Sequence, residues 1–222
     1  TPTANTNEAT LVVVGDQIRT LADYGSLGSV YDLSGAVISS ATPSMDGLMD
    51  ATTDGTYNYV VHNGGGNNTI WRFDLDWQNG SQYLSNLAWA ISGITYDPLD
   101  DSFWMVDYAG DDALHHYQKD GTLIASLPRV DSLGQPDGYS LGIAMDYADH
   151  TLWTNTGRNP NLMLQYRTDG TLLQEVDFGY RPDISSMEFA LNAKSVPEPG
   201  SLFLLTGGLV LLARRRQNSV QP

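Results

Sequence analysis

The chain has 222 residues, 41% of them hydrophobic and 10% aromatic, enough to bury the core of one sizeable domain and too apolar for a disordered body. Its 26 acidic against 11 basic residues leave a formal net charge of -15; a surface of that sign repels phosphate, so no nucleic acid is expected as a partner. Cysteine is absent, which excludes disulfides, thiolate zinc sites and cysteine nucleophiles but leaves the compartment open.

The first ten residues, beginning Thr1-Pro2-Thr3, read as a linker. They contain neither an initiator Met nor a basic and apolar leader, so a secretory signal is either already removed or lies outside this piece of chain. From Leu11 to residue 192 the sequence repeats itself. Gly93-Ile94-Thr95-Tyr96-Asp97 returns as Gly142-Ile143-Ala144-Met145-Asp146, Phe103-Trp104 as Leu152-Trp153, and Tyr117-Gln118-Lys119-Asp120-Gly121-Thr122-Leu123 as Tyr166-Arg167-Thr168-Asp169-Gly170-Thr171-Leu172, each displaced by 49. A looser unit runs through Gly47-Leu48-Met49-Asp50, Tyr57 to Val61, Ile70 to Phe73 and Asn79-Gly80-Ser81, and the later parts of another through Leu11 to Val14 and Tyr31 to Val37.

Each unit has about four short β-rich segments, with a final turn of the Asp-Gly, Asn-Gly or Ser-Gly kind that calls for positive φ. The turn glycines Gly35, Gly80, Gly121 and Gly170 are spaced by 41 to 49 residues. No sustained helical period interrupts them. Such units cannot bury their faces singly but can when stacked about an axis, so the expected class is all-β, a β-propeller of about four four-stranded blades or part of a larger one. The N-terminal unit then starts at its second strand near Leu11, and Ser185 to Leu191 reads as an orphan first strand that completes that blade. Gly-Ile-Ala-Met-Asp, Leu-Trp-Thr-Asn and Gln-Tyr-Arg-Thr-Asp-Gly-Thr-Leu resemble the NHL-type propeller repeat. That likeness implies the fold and carries no function with it.

Loops that follow the second strands hold Asp16, His62, Asn63, Asp107 and Asn155. If they converge, Asp16, Asn63, Asp107 and Asn155 offer an oxygen-rich pocket that suits Ca²⁺. Otherwise they make turn hydrogen bonds, as Asp and Asn do. Asp107, Asp111, Asp112, His115 and His116 form the densest group of metal-capable side chains, but adjacent histidines on a strand face opposite ways and only one can join a given site. Trp71, Trp104 and Trp153 either stack on sugars or pack between blades. The run Gly64-Gly65-Gly66 lacks the Lys-Ser or Lys-Thr of a phosphate loop, and no His-Glu-x-x-His occurs. No catalytic residues are assigned and no cofactor is required. A non-enzymatic binding or structural module is the first reading, and a divalent-metal-dependent hydrolase or lyase the alternative.

The last segment, 193–222, has a different character. Pro197 and Pro199 hold Val196-Pro197-Glu198-Pro199 extended. A twelve-residue apolar run from Leu202 to Ala213 follows, carrying Leu202, Phe203, Leu204, Leu205, Gly208, Leu209, Leu211 and Leu212, and then the basic stop Arg214, Arg215 and Arg216. As a helix the run spans about 18 Å against a hydrocarbon core of about 30 Å, so its flanks must lengthen it, with the arginines held on the cytoplasmic side. An extended recognition segment, a short hydrophobic helix and a basic stop, in that order at the C-terminus, resemble the PEP-CTERM signal of Gram-negative bacteria. That resemblance implies that an exosortase, a multi-pass membrane cysteine protease, cuts near the Pro-Glu-Pro segment. It further implies transient membrane anchoring followed by delivery to the cell surface or the extracellular polysaccharide matrix of a biofilm. A plain membrane anchor or a buried terminal helix is the alternative.

Overall fold

The computed structural model describes residues 8–22, 28–42, 45–63, 68–87, 90–108, 112–136, 138, 140–159, 161–180 and 186–191. The sorting segment and its expected helix, Asp111 and the run Gly64-Gly65-Gly66 lie outside these residues.

The fold is an all-β propeller of four blades, each a four-stranded antiparallel meander. Blade 1 comprises β1 (Glu8–Val14), β2 (Gln17–Ala22), β3 (Gly28–Asp32) and β4 (Val37–Thr42). Blade 2 comprises β5 (Leu48–Thr53), β6 (Tyr57–His62), β7 (Thr69–Asp74) and β8 (Ser81–Leu84). Blade 3 comprises β9 (Ile91–Asp97), β10 (Ser102–Asp107), β11 (Ala113–Gln118) and β12 (Leu123–Pro128), and blade 4 comprises β13 (Ile143–Asp146), β14 (Thr151–Asn155), β15 (Leu162–Arg167) and β16 (Leu172–Asp177). The first strands neighbour one another, β1 beside β5, β5 beside β9 and β9 beside β13, so they form the hub. Burial falls off outward: β9 and β10 are buried along their whole length, whereas β12 and β16 are largely exposed.

Three apolar clusters lie between successive blades, as stacking requires. Val12, Leu21, Ala51 and Phe73 join blades 1 and 2, Tyr59, Ile70, Phe103 and Met105 join blades 2 and 3, and Trp104, Ile143, Leu152 and Tyr166 join blades 3 and 4. Lys119 adds a polar clasp between blades 2 and 3, its ammonium 2.7 Å from both Asp54 and Asp101 and set over the rings of Tyr59 and Tyr96.

Two sequence expectations are corrected here. Blade 1 already has its own first strand: β1 begins at Glu8, inside the expected linker, and Leu11 to Val14 belong to that strand and not to the second. Residues 186–190 have no strand assignment and therefore do not complete blade 1. The turn of blade 2 also differs. Blades 1, 3 and 4 reverse through Gly35, Gly121 and Gly170 at φ of 83°, 89° and 86°, with Gly35 N donating to Asp32 O and Asp32 N to Ala36 O. In blade 2 the same pair of bonds runs from Trp77 N to Asp74 O and from Asp74 N to Gln78 O. Trp77 thus takes the left-handed place at φ 63°. A bulky residue is rarely found there; complete burial of the indole edge-on against Phe73 at 5.6 Å offsets the backbone cost.

Gly80 is then explained by close approach and not by the turn. A Cβ there would stand 2.2 Å from the Phe73 ring. Gly80→Ala is therefore expected to lower stability by roughly 1–3 kcal/mol through overpacking, read as a fall in the denaturant midpoint, with Phe73→Leu in the same chain recovering part of the loss. Equal midpoints for Gly80→Ala and the parent would show that the Phe73 contact is not tight.

Candidate functional site

The structure separates Asp16 from the other members of the expected calcium pocket. Asp16 lies in the turn between β1 and β2 and is exposed. It follows a first strand, so it stands at the opposite end of the blades from Asp107 and Asn155, which end second strands, and Asn63, which follows one. Those three do lie on one face. Asn63 donates from Nδ2 to the Tyr108 hydroxyl at 3.1 Å. Asn155 Oδ1 accepts from Ser140 Oγ at 2.7 Å, Leu141 N at 3.0 Å and Gly142 N at 3.2 Å, fixing the approach to β13. His62 sits edge-on to Trp71 at 5.9 Å.

Asp107 is the side chain on this face with chemical potential. It is buried at 1% exposure, and among the described residues neither carboxylate oxygen has a hydrogen-bond partner. His115 Nε2 is 3.8 Å away, and Ser126 Oγ lies 3.1 Å from His115 Nδ1. Burial alone would raise the Asp107 carboxyl, but His115 and the Arg129 guanidinium outweigh it and hold it below the usual carboxylate range. Arg129, fully buried, donates to Gly138 O and lies 4.0 Å from Asp112. As strand alternation requires, His115 and His116 part company: His115 turns to Asp107, and His116 stacks on Trp104 at 4.1 Å on the other face. Trp104 is core, and Trp71 and Trp153 are half-buried.

A motif that the sequence reading passed over lies beside this cluster. Gly138-Tyr139-Ser140-Leu141-Gly142 has the Gly-x-Ser-x-Gly spacing of a nucleophile elbow. The expected context is a strand, a sharp turn and a helix that lift the hydroxyl into the open. Here Ser140 is completely buried on a loop leading into β13, and its Oγ donates to Asn155 Oδ1 or to Gly142 O at 3.1 Å. Its role is to hold the loop.

The hub presents a second group of polar side chains. Asp50 on β5 is fully buried; its Oδ2 accepts from Ile94 N at 3.2 Å and Ile143 N at 3.1 Å, and its Oδ1 from Ala51 N at 2.9 Å and Met187 N at 3.2 Å. Thr52 Oγ1 accepts from Tyr96 N at 3.0 Å, and Thr95 Oγ1 from Met145 N at 2.9 Å. Inner strands of a propeller do not pair with one another, so their edge amides would be orphaned in the core. Polar side chains of each inner strand supply the acceptors for the next.

Residues 186–191 are a strap along this hub. Leu11 N donates to Ser186 Oγ at 3.2 Å, giving β1 the kind of acceptor that Asp50 and Thr95 give β9 and β13. Met187 packs where a Cβ on Gly142 would meet it at 3.4 Å. Glu188 accepts from Thr52 Oγ1 at 3.1 Å and from the Tyr147 hydroxyl at 3.4 Å. Leu191 reaches Gly55 at the far end of β5. Burial pushes Asp50 up to about 8 against the pull of its backbone donors. Burial and the nearby Asp50 push Glu188 well above the carboxylate range.

The chain matches the PEP-CTERM protein-sorting motif over residues 195–217, the segment that carries Pro197, Glu198, Pro199 and the three arginines. It therefore carries the signal of an exosortase-sorted, exported protein, joined to a propeller body. Among curated protein sequences none matches the chain. Solved structures with the same fold include a chain of a nidogen/laminin complex (TM-score 0.58, 13% identity, 82% of this chain and 67% of that one). A glutaminyl cyclase from Myxococcus xanthus (0.53, 18%, 79% and 73%) and the hydrazine synthase of Kuenenia stuttgartiensis (0.50, 12%, 80% and 51%) also share it. The chain thus spans between half and three quarters of these relatives' length. Two of them are enzymes, and at such identities the likeness is one of fold.

A raised carboxyl destabilises the fold once the solution pH passes the value of the unfolded acid. Between about pH 4 and pH 8 the folded chain holds a proton on Asp50 that the unfolded chain has lost, and the raised Glu188 acts in the same direction. Stability therefore declines as pH rises, by up to about 1.4 kcal/mol per pH unit for each proton held. Unfolding midpoints are expected to be higher at pH 5 than at pH 8. Glu188→Gln, which copies the protonated acid, should shrink that difference and raise stability at pH 8. A midpoint that instead climbs from pH 5 to pH 8, unchanged by Glu188→Gln, would refute the assignment.

Proposed function

We propose that the chain is an exosortase substrate delivered to the cell surface or extracellular space, with its propeller acting as a non-enzymatic binding or structural module and its tail as a transient membrane anchor. The observation that carries this reading is the sorting motif at 195–217, which begins four residues beyond Leu191, the last described residue of the strap. Cleavage near Pro197 to Pro199 leaves the strap on the body, so Ser186, Met187 and Glu188 keep their places on the hub while the apolar run and Arg214, Arg215 and Arg216 are removed. With those three cations gone, the exported body is more acidic than the whole chain at -15. That charge favours cations, cationic polymers or neutral glycans over anionic partners, and extracellular polysaccharide is the partner we assign.

Support for a binding or structural role comes from how the loops are used. Asn63 spends its amide on an inter-blade hydrogen bond, Asn155 and Ser140 spend theirs on holding the loop into β13, and the hub acceptors are spent on the strap and on neighbouring strands.

The test is the mass of the exported protein in an exosortase-bearing host. The mature chain should end near residue 199 and lack the arginines, and Glu198→Ala should accumulate at full length in the membrane fraction. A full-length wild-type chain in the soluble cell interior would overturn the sorting reading. Failure of the mature protein to co-sediment with the host's extracellular polysaccharide would remove that partner.

A further inference from the structure

The side of blade 3 that His116 faces carries a cluster absorbed by neither the hub nor the loop face. Asp97 ends β9, Asp100 lies in the following turn, His116 lies on β11, and their ligand atoms all fall within 4.8 Å of one another. A second imidazole comes from the next blade: His150, in the turn between β13 and β14, places Nε2 2.9 Å from Asp97 Oδ2 and 3.0 Å from Oδ1. His116 Nε2 is 3.3 Å from Asp100 Oδ2 and 2.6 Å from Ser102 Oγ. Two carboxylates and one imidazole thus gather at one end of blade 3, and a second imidazole reaches Asp97 from blade 4 across the join.

The repeat supplies an internal comparison. Displaced by 49, the corresponding residues of blade 4 are Asp146, Asp149, Thr151, Trp153 and Gln165, and the register agrees, with Trp104 opposite His116 and Trp153 opposite Gln165. In blade 4 the Gln165 amide closes the network by donating to Asp149 Oδ2 at 3.2 Å and Thr151 Oγ1 at 2.7 Å, and Thr151 donates to Asp149 Oδ1 at 2.6 Å. A purely structural network needs only that amide. Blade 3 replaces it with an imidazole, and blade 4 brings a second one beside Asp97.

The surroundings are those of an oriented ligand set. Asp97, 2% exposed, is fixed by Trp104 Nε1 at 3.2 Å and Leu99 N at 3.0 Å, the kind of outer hydrogen bonding that aims a metal-binding carboxylate. Trp104 stacks flat on His116, 6° from parallel, and fixes its ring plane. Asp100, with its side chain 48% exposed, opens the group to solvent and gives an ion a path in. Two nitrogen and two carboxylate donors suit a borderline divalent ion such as Zn²⁺, whereas Ca²⁺ takes six to eight oxygens.

We infer that Asp97, Asp100, His116 and His150 form a Zn²⁺-type transition-metal site that clamps blade 3 to blade 4. An ion there draws together a β9–β10 turn and a β13–β14 turn that otherwise share only the His150 to Asp97 contact across the blade join among these four side chains.

Titration of the full-length chain in detergent, stripped with chelator, tests this with Zn²⁺ alone, Ca²⁺ as comparison, and Co²⁺ as a coloured probe. One Zn²⁺ per chain is expected, with little response to Ca²⁺, a visible Co²⁺ band of low-coordinate type, and a change in tryptophan fluorescence from the ring stacked on His116. His116→Gln is the informative variant because Gln165 already occupies that place in blade 4, so the fold should tolerate it. Its Zn²⁺ affinity should fall at least about tenfold, as should that of Asp100→Asn, while His62→Gln binds like the parent. No Zn²⁺ binding by the parent chain, or parental affinity in both His116→Gln and Asp100→Asn, would overturn the assignment.

Discussion

One buried carboxyl group holds the hub together. Asp50 accepts backbone donors from β5 itself, from β9, from the first residue of β13 and from the strap, so four parts of the chain far apart in sequence share a single side chain. The need behind it is general. Inner strands of a propeller run side by side without pairing, and their edge amides must find acceptors inside the core or cost free energy. Thr52 and Thr95 meet the same need one residue at a time. Asp50 meets it for three inner strands and the strap at once, and with Glu188 beside it, the hub holds protons that the unfolded chain would release.

The strap links this hub to the tail. Ser186 answers the Leu11 amide as a neighbouring inner strand would, and Glu188 reaches Thr52 and Tyr147. The described residues that reach the hub all lie before the sorting motif at 195–217.

The two histidines show how much strand alternation decides. His115 and His116 are adjacent in sequence, yet one looks toward Asp107 at the loop face and the other toward Asp97 and Asp100 at the opposite end of the blade. Grouping Asp107, Asp111, Asp112, His115 and His116 by proximity in sequence mixed two environments. Asp97, Asp100 and His150 were missed for the same reason: His150 is 34 residues beyond His116 and arrives only because blade 4 stacks on blade 3. The 49-residue displacement did hold a clue, since it aligns His116 with Gln165 and so marks the imidazole as a departure from its own repeat.

By itself the sequence determined the repeat, the all-β class, the blade unit and the tail, because these depend on local spacing: turn residues at fixed intervals, and prolines, apolar run and arginines in a fixed order. It misjudged what depends on partners. Only the tertiary structure decided that β1 is a first strand, so that Asp16 faces away from Asn63, Asp107 and Asn155. Only there does Trp77, a poor candidate for a left-handed turn on local grounds, become acceptable, since complete burial of its indole offsets the backbone cost. The same holds for Ser186 to Leu191, whose alternation reads as a strand but whose backbone instead lies along a hub that already has its strands. In each case the deciding free energy comes from contacts between blades, and local spacing carries no record of them.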